Sequence, residues 1–157
     1  MSESFQVAVL SGSPSDREFV QACTTQLEAF GIPYEARVLS AHRQGEALHA
    51  FMQESEERGC QVYIAMAGMA AHLPGVVASL TPRPVLGVPL KGGVLDGLDA
   101  LLAVVQMPRG VPVGCLAVGK AGAHNAAIMA AQILAVADEA VSARVRQLKA
   151  DMADGAR

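Results

Sequence analysis

Two rhythms alternate along the chain. Short apolar runs bounded by glycine, proline or serine give way to longer stretches in which apolar residues return every three or four positions. "QVAVLS" (6–11) reads as a first strand. In the segment 15–30 that follows, Phe19, Val20, Cys23, Leu27 and Phe30 share one helical face, and Gly31 and Pro33 stop the helix. "YEARVLS" (34–40) is a second strand and "GEALHAFMQESEER" (45–58) a second helix closed by Gly59. "QVYIAMAG" (61–68), "PVLGVP" (84–89) and "PVGCLAVG" (112–119) supply three more strands, and 95–107, 123–137 and 138–155 read as helices. The stretch 59–82 holds no Asp, Glu, Lys or Arg. Gln61, Gly68, His72, Pro74 and Gly75 interrupt it, so a strand, a small-residue loop and a buried helix are expected rather than a membrane span. Strands alternating with helices predict an α/β domain over 1–157: a central parallel sheet with helices on both faces.

Composition adjusts this picture in two places. The 157 residues carry a formal charge of −3 with no long block of one sign, which argues against a general nucleic-acid or membrane-surface binder. Only 17% of residues are charged and 52% are apolar, so part of the surface is expected to be buried against further copies of the chain. Cys23, Cys60 and Cys115 are widely spaced, form no CxxC and suit a reducing cytosol. No basic segment leads into an apolar run at the start, so no signal peptide is expected.

In parallel sheets ligands bind beyond the carboxyl ends of the strands, near the point where strand order switches. Three unusual loops fall there. "SGSPSD" (11–16) combines Gly12, the hydroxyls of Ser13 and Ser15, and a helix start whose free N–H groups suit an anion; Ser15 and Asp16 also serve as plain helix-start residues. "SAHR" (40–43) sets His42 beside Arg43. An imidazole ordinarily titrates near neutrality and exchanges protons readily, and a guanidinium grips phosphate in a fork. "AGMAAHLPG" (67–75) is small and apolar around His72, which fits a substrate contact and a structural histidine equally well.

Three other chemistries fit poorly. The segment 114–120 has P-loop spacing, but Ala121 supplies no hydroxyl for magnesium and the intervening "CLAV" reads as a buried strand. Flavin binding suits such folds, yet the chain has no Trp, and Tyr34 and Tyr63 both fall in strands. The histidines at 42, 49, 72 and 124 make no compact metal signature.

Taken together, "SGSPSD", "SAHR", "AAHLPG", "VLGVP", "GLDALL", "VQMPRGVPVG" and "AVGKAGAHNAA" resemble the N5-carboxyaminoimidazole ribonucleotide mutase family of purine biosynthesis, from about Val7 to Leu134. The resemblance implies a cytoplasmic, flavodoxin-like three-layer sandwich assembled as an octamer. It implies an imidazole ribonucleotide substrate whose carboxylate moves from the exocyclic nitrogen to ring carbon C4 without metal, ATP or organic cofactor. His42 matches the catalytic histidine. Ser13, Asp16 and Arg43 match substrate- and phosphate-binding positions, Ser40 a position lining the site, and Gly68, His72 and Leu73 the loop over the imidazole and carboxylate. The chain departs from the family pattern at Ser11, Gln44-Gly45, Met69 and Lys91, the last at the mouth of the site. Direct carboxylation of aminoimidazole ribonucleotide by CO2 and a non-catalytic nucleotide-binding role are the alternatives. The chemistry asks for a small, dry and closed cavity, because released CO2 must not escape.

Overall fold

A computed structural model describes residues 3–155. Its centre is a five-stranded parallel sheet in the order β2-β1-β3-β4-β5. The strands are β1 (Val7–Ser11), β2 (Tyr34–Val38), β3 (Val62–Ala67), β4 (Val85–Pro89) and β5 (Gly114–Cys115). The helices are α1 (Arg17–Ala29), α2 (Gly45–Glu57), α3 (Leu73–Leu80), α4 (Leu98–Val105), α5 (Lys120–Leu134) and α6 (Glu139–Ala153). The sheet and its two helical layers are the three-layer α/β sandwich the strand–helix alternation predicts.

The strand sequences explain their positions. β1, β3 and β4 are buried along their whole length, as continuous apolar runs between two helical layers must be. β2 is an edge strand, so its Glu35 and Arg37 reach the surface while Val7 to Ser11 pair with it on the inner side. On one face Val7, Val9, Val62, Ile64 and Met66 pack under α1 and α5. There Ala123, Ala126, Ala127, Ala130 and Ala131 keep α5 narrow enough to lie close on α1 and the sheet. On the other face Ala8, Leu10, Tyr63 and Ala65 meet Leu48 and Met52 of α2, Val77 of α3 and Val104 of α4. Burying an aliphatic side chain of this kind contributes about 1.5–3 kcal/mol. Tyr63 is fully buried, and its hydroxyl lies 2.7 Å from that of Ser55, so the polar tip is satisfied.

The structure corrects several expected boundaries: the helix expected over 95–107 is Leu98–Val105 and the second strand ends at Val38. The fifth strand is only Gly114–Cys115 rather than 112–119. Beyond Cys115 the chain stays tied to β4 without a regular ladder, Leu116 N–H donating to the Gly87 carbonyl at 2.9 Å and Gly119 N–H to that of Pro89 at 2.8 Å. The helix after it begins at Lys120, three residues before the apolar pattern becomes regular. Among the described residues no helix is long and apolar enough to cross a membrane.

Candidate active site

The strand order switches between β1 and β3, and the loops leaving the carboxyl ends of β1, β2, β3 and β4 surround one cavity of about 590 Å³. The residues matched to the site by the resemblance all line it: Ser13 and Asp16 from the first loop, Ser40, His42 and Arg43 from the second, Gly68, His72 and Leu73 from the third.

The first loop folds because a serine and an aspartate share its backbone. Ser13 N–H donates to Asp16 Oδ2 at 3.0 Å, and Ser13 Oγ accepts from the Ser15 N–H at 3.3 Å and the Ser15 hydroxyl at 2.8 Å. Pro14 opens the single 3-10 turn that leads into α1. Partial burial raises the Asp16 pKa above the ordinary carboxylate value, against the lowering influence of its hydrogen bonds from Ser13, Ser15 and Gly12. The second loop is knotted by Ser40 and Gln44. Ser40 N–H donates to Gln44 Oε1 at 3.0 Å, and Ser40 Oγ accepts from the Arg43 N–H at 3.3 Å. Ser40 is buried, so this knot anchors the exposed His42 and Arg43. The Arg43 guanidinium reaches across to the first loop, where it donates to the Gly12 carbonyl at 3.4 Å.

The third loop brings His72 to His42. The His42 Nε2 and His72 Nδ1 atoms are 2.7 Å apart, and the rings meet edge-on at 80°. One nitrogen supplies the hydrogen and the other the lone pair, so each ring fixes the other's tautomer. To make this approach the loop accepts left-handed backbone at Met69 (φ 54°) and Ala71 (φ 38°), a conformation that costs a non-glycine residue about 1–2 kcal/mol. It is held by Ala71 N–H donating to the Gly68 carbonyl at 3.0 Å and by Leu90 N–H donating to that of Ala67 at 2.9 Å.

Some residues enter the cavity that sequence reasoning had not assigned to it. Gly92 and Gly93 line it beside Lys91. The Gly-Gly pair just beyond a strand end was the available signal. Lys120 lies at the start of α5 outside the cavity lining, and His49 is exposed on α2 at 3.4 Å from Gln53 Nε2. The cavity is not closed within one chain: His42, His72, Met69 and Lys91 are all exposed at its rim. Among the described residues no group of three His, Cys, Asp or Glu side chains is placed to hold a metal ion.

A parallel sheet with hydroxyls, a guanidinium and a histidine pair gathered at its switch point defines an α/β protein with the groups that an anionic small molecule and a proton transfer would call for. Residues 6–155 match the AIR carboxylase family, and the chain belongs to that family. It is 51% identical over 142 residues to the N5-carboxyaminoimidazole ribonucleotide mutase of Brucella melitensis, covering 90% of this chain and 88% of that one. It is 48% identical over 149 residues to the mutase of the same name from Escherichia coli K12, covering 95% and 88%. Treponema denticola PurE shares the fold at a TM-score of 0.87 and 27% identity, over 95% of this chain and 92% of that one.

Proposed function

We infer that the protein is an isomerase of purine biosynthesis, converting N5-carboxyaminoimidazole ribonucleotide to 4-carboxy-5-aminoimidazole ribonucleotide. The observation that carries this reading is the His42–His72 contact at 2.7 Å inside the cavity that also holds Arg43 and the serine turn. The N–CO2 bond breaks and the exocyclic nitrogen receives a proton. The CO2 forms a bond to C4, which then loses its own proton. One imidazole, at His42, gives the first proton and takes the second. The carboxyl group is already on the substrate, so the reaction balances without ATP, metal or organic cofactor.

Arg43, Ser13 and the start of α1 hold the phosphate, and Asp16, which lines the same end of the cavity, contacts the substrate beside them. Binding energy from this remote end positions the ring for the proton transfers. Ser40 sets the loop, while Gly68 and Leu73 line the cavity around the imidazole. The rim is open in one chain, and α4 presents Leu98, Leu102 and Val105 outward next to Val94 and Leu95. An apolar stripe of that kind supports a homo-oligomer, an octamer in the reading adopted here, acting in the cytoplasm on a small nucleotide rather than on nucleic acid or a membrane.

The test uses purified protein and both candidate substrates. Conversion of N5-carboxyaminoimidazole ribonucleotide without added bicarbonate is expected. Turnover of aminoimidazole ribonucleotide with bicarbonate, and none of the N5-carboxylated nucleotide, would instead assign direct carboxylation and sink the mutase reading.

A further inference from the structure

Arg43 and Lys91 are the cations that line the cavity, and Asp16 is its acid. They stand on opposite flanks. Arg43 follows β2 and Lys91 follows β4, with the loops of β1 and β3 between them. We propose that Lys91 binds the carboxylate that the enzyme moves, so that the site recognises its nucleotide by one cation at each end. The proposal rests on the functional reading above and adds the residue that distinguishes a carboxylated imidazole ribonucleotide from an uncarboxylated one.

The side chain is braced but its charge is free. Lys91 Cγ and Cε lie 3.9 and 4.0 Å from the point where a Cβ on Gly119 would sit, and Phe19 Cε1 is 3.9 Å from the same point. The methylene stem therefore passes the start of α5 at Gly119, and Lys91 is an exposed residue of the cavity lining. Among the described residues no carboxylate forms a salt bridge with it. The acids of its own loop serve the backbone instead. Asp96 Oδ1 accepts from the Gly92 N–H at 3.3 Å, and Asp99 Oδ1 accepts from Gly97 and Ala100 at 3.3 and 3.1 Å.

Position separates the two anions of the ligand. The Arg43 end carries the hydroxyls of Ser13 and Ser15 and suits the sugar phosphate. Lys91 adjoins the loop that carries His72, for its carbonyl oxygen lies 3.5 Å from where a Cβ on Gly68 would be. Its chemistry also fits a moving group. A guanidinium holds one fixed fork geometry, whereas an ammonium on a flexible stem has rotatable donors that follow a carboxylate from nitrogen to carbon.

Calorimetric titration of the full chain with two nucleotides decides the matter: 4-carboxy-5-aminoimidazole ribonucleotide and 5-aminoimidazole ribonucleotide, which lacks the carboxylate. Lys91→Met should weaken the carboxylated nucleotide about tenfold while leaving the uncarboxylated one within about twofold, the loss expected for one charge-assisted hydrogen bond. Lys91→Arg should recover part of the loss. Lys91→Gln repeats the comparison with a polar side chain, and retained affinity for the uncarboxylated nucleotide reports that each variant is folded. Equal weakening of both nucleotides, or of neither, overturns the proposal. Wild-type protein that binds neither nucleotide overturns the functional reading itself, a result no Lys91 variant can mimic.

Discussion

His42 and His72 are thirty positions apart in the chain and meet nitrogen to nitrogen at 2.7 Å, His42 Nε2 against His72 Nδ1. The contact makes different demands on the two rings. His42 sits on a loop tied to buried Ser40 and beside the Arg43 guanidinium, which under the proposed function makes it the group aimed at the substrate. His72 precedes α3 and reaches His42 from the opposite wall. His42→Asn should lower kcat by about 10²–10⁴-fold while product still binds. His72→Ala should cost less in kcat and leave KM nearly unchanged, because the general acid survives but its tautomer is no longer fixed. Steady-state kinetics on both variants checks the order, and a His42→Asn protein with wild-type turnover would remove His42 from its role.

Gly122 lies in the first turn of α5, where alanine would ordinarily be the better helix former by about 1 kcal/mol. Here a Cβ would sit 1.7 Å from the Ala117 carbonyl oxygen and 2.7 Å from its carbon. The neighbour is backbone, on the segment that leaves β5 and turns into the helix, so it has no rotamer to change. Gly122→Ala should therefore destabilise the fold by about 2 kcal/mol net, overpacking outweighing propensity. That corresponds to a Tm lower by roughly 4–8 °C for a domain of this size, readable by calorimetry or circular dichroism. An unchanged or raised Tm would mean that the chain at Ala117 yields easily.

The same region shows where the sequence was legible and where it was not. Continuous apolar runs at 7–11, 62–67 and 85–89 identify buried strands because they are flanked by glycine, proline and helical periodicity. The run at 112–119 looks identical in composition, yet only Gly114 and Cys115 form the ladder, and beyond them the chain is tied to β4 by just the Leu116 and Gly119 N–H groups before it turns into α5. No local pattern encodes where regular pairing with a neighbouring strand stops. The site's members were visible as unusual residues at strand ends. Their partnership was not: the His42–His72 approach depends on left-handed backbone at Met69 and Ala71, which propensity argues against. The open rim was also hidden, since closure is a property of how loops and copies meet.

Glu35 anchors the end of the molecule remote from the cavity. Its carboxylate lies 2.7 Å from Arg37 and 2.5 Å from Arg58, and the Arg58 guanidinium in turn stacks over the Phe5 ring at 4.7 Å. Burial on its own would raise the Glu35 pKa, but hydrogen bonds and charge from Arg58 and Arg37 outweigh it and hold the group below the ordinary 4.5. A carboxylate depressed in the folded state contributes stability that is fully present above its unfolded value and is lost as the pH falls through the folded one. Wild type should thus be more stable than Glu35→Gln above about pH 5, and the two melting curves should converge as the pH drops below the ordinary carboxylate range. Activity per folded molecule should be equal. A stability gap that stays constant down to pH 3 would show that the charge of Glu35 contributes nothing.

Leu98, Leu102 and Val105 recur at helical spacing on α4 and remain 50%, 49% and 47% exposed in the single chain. The opposite face of α4 already packs Ala100 and Val104 into the core, so this helix is apolar on both sides. A helix of that kind belongs inside an assembly, and the loop leading into it carries Val94 at 95% and Leu95 at 54% exposure. The stripe begins where the cavity wall of Lys91, Gly92 and Gly93 ends, so a neighbouring copy seated on α4 would also border the open rim. Leu102→Glu places a charge at the centre of the stripe without touching either core face. Sedimentation analysis should find the wild type as a large homo-oligomer and the variant as a smaller species, with turnover falling together with assembly. Keeping the substitution on the outer face separates this from misfolding, because the variant should retain its circular dichroism spectrum and lose only its size. A wild-type chain that sediments as a monomer with full turnover would leave the stripe without a partner and show that the cavity works open.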